Sequence, residues 1–141
     1  MKRVKIDWDD LEGAFEFSSY EARHYLDTDT GEIILLSDAV DDLERLEEEI
    51  EGDTAGRYVD IPLQDSHEGY RDMEDFIETV ADSHQRELLE VAIDGRGAFR
   101  RFKDVLERFP ADRERWFAFE RERLRERIRE WLEENEIQPI E

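Results

Sequence analysis

The stretch "DGRGAFRRF", Asp94 to Phe102, gathers residue types that hold anions. A helix N-terminus attracts negative charge because its first N–H groups lack intrahelical acceptors and its dipole is positive there. Gly95 and Gly97 would let backbone approach a phosphate closely. Arg96, Arg100 and Arg101 would add charge and forked hydrogen bonds. A second candidate is "QDSHEGY", where His67, flanked by Asp65, Ser66 and Glu68, has the chemistry of a general base or metal ligand. The candidate anion site is therefore Gly95, Arg96, Gly97, Arg100 and Arg101, with His67 nearby.

Neither stretch matches an established fingerprint. Arg100 occupies the place of the third glycine of a dinucleotide motif, the preceding segment reads as helix rather than strand, and no Gly-Lys-Ser/Thr follows. The same residues also fit a junction between two core helices. Gly95 would end one helix in a left-handed cap, Gly97 would begin the next, and Phe99 and Phe102 would face inward. "QDSHEGY" likewise fits a capped helix start after a proline-ended strand. A Ser-His pair adjacent in sequence is not a triad, which is assembled from separated positions.

The other chemistry-bearing residues point less far. His24, His67 and His84 show no H-E-x-x-H or H-x-x-x-H spacing, so no metal site is expected. "DWDD", "EEEIEGD" and "DTDTGE" lack the ligand spacing of a calcium loop. Arg121, Arg123, Arg125, Arg127 and Arg129 spread around one helix among glutamates, which argues against a nucleic-acid recognition helix. No catalytic residue is assigned, and no cofactor is expected.

The elements that must position these residues follow from periodicity and breakers. "IDWDDLEGAFEF" puts Trp8, Leu11, Ala14 and Phe15 on one helical stripe, with Asp7 as N-cap. Arg23–Asp27 and Glu32–Leu36 form a hairpin around "DTDTG", where Gly31 supplies a positive φ. A second helix carries Ala39, Val40, Leu43, Leu46 and Ile50, capped by Ser37 or Asp38, and "RYVDIPL" is a short third strand. Four helices follow. Asp65 and Asp82 have capping spacing, and Pro110 ends the helix that holds Ala98, Phe99, Phe102, Val105, Leu106 and Phe109. The last helix, from about Asp112 to Glu134, carries Trp116, Phe117, Leu124, Ile128, Trp131 and Leu132.

This is an α+β chain: a small three-stranded antiparallel sheet with N-terminal helices, then a C-terminal array of about four helices. One domain is expected over 1–141, with a sheet-containing part at 1–63 and a helical part at 64–141.

Charge constrains partners. The net charge is −21, from 41 acidic and 20 basic residues. Such a surface fits a salty or crowded cytoplasm, or a basic partner; it repels phosphates, so nucleic acid is disfavoured. There is no cysteine, hence no disulfide framework. No apolar run approaches the roughly 20 residues that span a bilayer, and no signal-peptide pattern opens the chain. A cytoplasmic protein is expected, with no membrane partner.

"LQDSHEGYRDMEDFIE", "DGRGAFRRFKDVL", "RWFAFERERLRERIREWLEE" and "YLDTDTGEIILLSD" together resemble the uncharacterised bacterial family UPF0158 over nearly the whole chain. The resemblance implies a bacterial origin and a shared fold, and transfers no site. The leading functional expectation is a non-enzymatic binding or regulatory module that engages a protein partner. The alternatives are a phosphate- or nucleotide-binding protein, possibly an enzyme, using Gly95 to Arg101, and a sequence-independent nucleic-acid binder.

Overall fold

Three aspartates set where helices begin. Asp7, Asp65 and Asp82 adopt extended backbone, and their carboxylates accept from the N–H of Asp10, His67 and Gln85. Each bond satisfies a donor that the first helical turn leaves unpaired. The structure, a computed structural model, describes residues 1–38 and 42–140. Its helices are α1 (Trp8–Phe17), α2 (Leu43–Glu51), α3 (Ser66–Glu78), α4 (Ser83–Ala92), α5 (Ala98–Leu106) and α6 (Pro110–Glu134). Pro110 is the first residue of α6, where a missing N–H costs nothing and the fixed φ suits the helix. The strands are β1 (Lys2–Lys5), β2 (Ala22–Asp27), β3 (Ile33–Ser37), β4 (Tyr58–Asp60) and β5 (Ile137–Ile140). The protein is α+β, with a three-stranded antiparallel sheet ordered β3-β2-β4.

The chain divides into two compact units, residues 1–64 with 125–141, and residues 65–124. Residues 125–141, placed with the helical part by sequence, thus fall in the sheet-containing unit. The cause is a strand pair that periodicity misses. β1 and β5 pair in parallel, with Lys2 opposite Ile137 and Val4 opposite Pro139. β1 offers one apolar residue in four, and β5 contains a proline, which an edge strand tolerates. Their shared burial of Val4 and Ile137 appears only once the chain ends meet.

In the first unit, β2 and β3 form the hairpin with Tyr25 opposite Ile34, and β4 joins the other side of β2 with Leu26 opposite Val59. Gly31 closes the turn at φ +80, and its N–H donates to the Asp27 carbonyl at 2.7 Å. The turn also lies against β1: a Cβ at Gly31 would stand 1.9 Å from the Lys5 carbonyl oxygen. Leu11, Ala14 and Phe15 of α1 are buried, and Phe15 meets Trp131 edge to face at 5.2 Å between ring centres. Glu12 accepts from Arg125.

α2 departs from its expected start. Helical structure is described from Leu43, and Asp42 precedes it in the left-handed region with no side-chain cap, in place of Ser37 or Asp38. Ala39 and Val40 lie outside the described residues. Leu43, Leu46 and Ile50 are only half-buried.

The second unit packs α3, α4, α5 and the first part of α6 around Met73, Phe76, Leu89, Phe102, Leu106 and Trp116. Phe76, Phe102 and Trp116 meet edge to face, the arrangement aromatic quadrupoles favour. Ala98, Phe102 and Leu106 point inward as their spacing requires. Phe99 does not: it is 43% exposed, as is Phe117 of α6 at 46%. Phe99 sits one residue, about 100°, off the α5 stripe, and its ring lies beside Gly69, where a Cβ would come within 3.1 Å of it.

Candidate functional site

The glycine stretch folds as a turn between α4 and α5. Gly95 and Gly97 have φ of +86 and +74, conformations that disfavour a side chain. Ile93 is the C-cap of α4, and Gly97 stands at the N-cap of α5 with no side-chain cap bond. The guanidinium of Arg101 turns back into this bend. Its Nε donates to the Ala92 carbonyl at 2.9 Å, and its two Nη atoms donate to the carbonyls of Arg96 and Asp94. The Tyr70 hydroxyl donates to the Ile93 carbonyl at 2.9 Å. Four carbonyls at the end of α4 and in the turn beyond it therefore find donors from two side chains, which fixes the bend.

Arg101 is thereby engaged with backbone. Arg96 and Arg100 are exposed, so an anion contact there competes with water and salt. His67 is exposed in the first turn of α3, where its backbone N–H donates to Asp65 at 2.8 Å.

The other histidines differ. His84 is exposed in the first turn of α4. His24 is half-buried in β2, its Nδ1 3.0 Å from the Ser18 hydroxyl, and burial pushes its pKa below the ordinary value. Among the described residues, no three His, Cys, Asp or Glu side chains are grouped to hold a metal ion. Two of the α6 arginines make contacts within their own units. Arg123 donates to Asp75 at 2.8 Å and lies over Phe119, and Arg125 pairs with Glu12.

Sequence reasoning missed a polar cluster at the hairpin turn. Asp27 is buried and receives two bonds from Arg57, Nε at 3.0 Å and Nη2 at 2.9 Å, plus the Asp29 N–H at 3.0 Å. The Arg57 guanidinium holds the Asp27 carboxyl below the usual carboxylate range. The Arg57 carbonyl accepts from both the N–H and the hydroxyl of buried Thr28, each at 2.8 Å. Lys2 of β1 reaches Thr28 and Asp29 at 2.8 and 2.7 Å. This cluster ties β1, the hairpin and the start of β4 together. Its signal in the sequence is an aspartate-threonine turn with a distant arginine, and the pairing is invisible until the strands align.

The remaining chemistry is apolar. Phe17 and Tyr20, at the end of α1, are 72% and 87% exposed, and Val91, Phe99 and Phe117 are exposed in the second unit.

A family model described as "Uncharacterised protein family (UPF0158)" matches residues 1–141. The chain belongs to the UPF0158 family. A UPF0158 protein of Pseudomonas aeruginosa is 33% identical over 139 residues, covering 99% of this chain and 88% of the relative. A UPF0158 protein of Chlamydia trachomatis is 34% identical over 131 residues, 91% of this chain but 40% of that protein. One of Chlamydia muridarum is 32% identical over 131 residues, 39% of its length. The chain thus spans about two fifths of these chlamydial relatives. No solved structure matches it.

Proposed function

We propose that this UPF0158 chain is a non-enzymatic binding module that engages a protein partner with a basic surface. The observation that carries this reading is the pairing of exposed apolar side chains with extreme acidity. Phe17 and Tyr20 stand 72% and 87% in water on a chain of net charge −21. Aromatic anchors are enriched at protein interfaces, where a ring buries a large area at little entropic cost. The charge steers basic partners toward the surface and holds nucleic acid away. The chlamydial relatives favour a module, since the matched region is a minor part of those longer chains.

The test is affinity capture by the full chain, in lysate of the source organism at its native salt concentration. A specific, saturable protein partner that releases when ionic strength is raised supports the reading. Recovery of nothing beyond the background of a charge-matched acidic control protein counts against it.

A further inference from the structure

Strand register assigns the side chains of the three-stranded sheet to two faces, because paired residues share a face and neighbours alternate. His24 and Leu26 belong to the first face, with Val59 and Ile33. His24 bonds Ser18 just past the end of α1, and Leu26 is fully buried. The second face carries Arg23, Tyr25, Ile34, Leu36, Tyr58 and Asp60, with buried Asp27 opposite Tyr58. The Arg23–Asp60 ion pair confirms the assignment.

α2 neighbours β3, and Asp53, just past the end of α2, accepts from the N–H of Tyr58 in β4 at 2.9 Å. Yet this layer is not closed. Tyr25, Ile34, Leu36 and Tyr58 are all only half-buried, as are Leu43, Leu46 and Ile50 of α2. Tyr20, three residues before Arg23 in the chain, is almost wholly exposed. The rim is acidic: Glu44, Glu47, Glu48, Glu49 and Glu51 of α2 are exposed, against one arginine, Arg45.

Resting on the protein-binding reading above, we propose that the open layer between the second face of the sheet and α2 is the docking site. Its occupant is a basic amphipathic segment of another protein. Its apolar residues complete the half-buried layer beside Leu46 and Tyr25, and its lysines or arginines meet the α2 glutamates. Charge complementarity selects this occupant over a second copy of the chain, whose own net charge of −21 would repel it.

The experiment uses the full isotope-labelled chain and a synthetic helical peptide of roughly 18 residues, with leucines at positions i, i+3, i+4 and i+7 and lysines elsewhere. Two comparison peptides replace Lys by Glu, or Leu by Ser. NMR titration should shift signals of β2, β3, β4 and α2. Leu46→Glu should weaken binding at least 10-fold. Joint replacement of the exposed Glu44, Glu47, Glu48 and Glu51 by Gln, which leaves the apolar layer intact, should weaken it several-fold with unchanged thermal stability. The proposal is overturned by shifts confined to other surfaces, by equal binding of the leucine-free peptide, by no binding, or by sedimentation showing that this face pairs two copies of the chain. Capture from lysate separates this proposal from the broader reading. A partner retained by folded Leu46→Glu leaves the protein-binding reading standing and removes this face, whereas a wild-type chain that captures nothing removes the broader reading itself.

Discussion

Replacing Gly31 by alanine should cost far more than replacing Gly56, although both glycines have nearly the same backbone, with φ of +80 and +75. In each case the new side chain must occupy the left-handed region, at about 1–2 kcal/mol. At Gly56 nothing lies within 4 Å of the added Cβ. At Gly31 that Cβ falls 1.9 Å from the Lys5 carbonyl oxygen, with the Lys5 carbonyl carbon at 3.0 Å. An ordinary contact needs well over 1 Å more, and the obstacle is backbone, which cannot swing aside. Either β1 withdraws from the turn, weakening the Lys2 contacts with Thr28 and Asp29, or the turn distorts. Overpacking of this kind costs about 1–3 kcal/mol. Gly31→Ala should therefore lose about 2–5 kcal/mol and Gly56→Ala about 1–2 kcal/mol. For a chain of this length, 1 kcal/mol is about 3 °C in Tm. Urea unfolding of both variants, followed by circular dichroism, reads the difference directly. Gly31→Asn is a useful third variant: asparagine tolerates positive φ, so its loss reports mainly the clash with the Lys5 carbonyl. Equal losses at 31 and 56 would refute the close approach of β1 to the hairpin turn.

Acid should weaken the hairpin cluster. Asp27 has a depressed pKa in the folded protein, so its contribution is full above the unfolded carboxylate range near 3.9 and disappears as pH falls through the folded value. Asp27→Asn should cost about 2 kcal/mol at pH 7 and progressively less in acid below pH 4, as chemical denaturation across pH would show. His24 has the same sign: its pKa is lowered by burial, so its stabilising contribution is present above about pH 6.5 and lost as pH falls below it. His24→Gln should flatten that segment of the stability profile. Arg101→Met should loosen the α4–α5 bend by about 1–2 kcal/mol, with faster amide hydrogen exchange concentrated around Ala92 to Phe102. If Arg101 instead serves chiefly as an anion ligand, the substitution leaves exchange at the bend unchanged and abolishes binding of inorganic phosphate.

Local signals in the sequence carried local structure. Asp7, Asp65 and Asp82 cap helices where capping spacing places them, and Gly31 sits at positive φ in the turn that its neighbours define. Pro110 marks a boundary because it favours a first helical position. Long-range pairings were not legible. β1 and β5 are each four residues long and come from opposite ends of the chain, so neither carries enough periodicity to declare a strand. The Asp27–Arg57 pair depends on the register of β4 against β2, which no spacing rule reveals. At the glycine stretch, the residue types fitted a helix junction and also an anion loop. The direction of the Arg101 side chain, toward the carbonyls of Ala92, Asp94 and Arg96, is a tertiary fact. Phe99 was misread for a simpler reason: next to Ala98 and three residues before Phe102, it looks like part of the core stripe, but α5 buries Ala98, Phe102 and Leu106 instead.

The central claim is that a protein partner covers the sheet face beside α2. It is tested most directly by placing a photoreactive amino acid in place of exposed Tyr20, three residues before Arg23 of that face, and in place of exposed Arg96 as a control, in cells that make the full chain. A discrete adduct with one protein of basic surface at position 20, absent at position 96, is the predicted result. No adduct at position 20, or the same mixture of adducts at both positions, would contradict it.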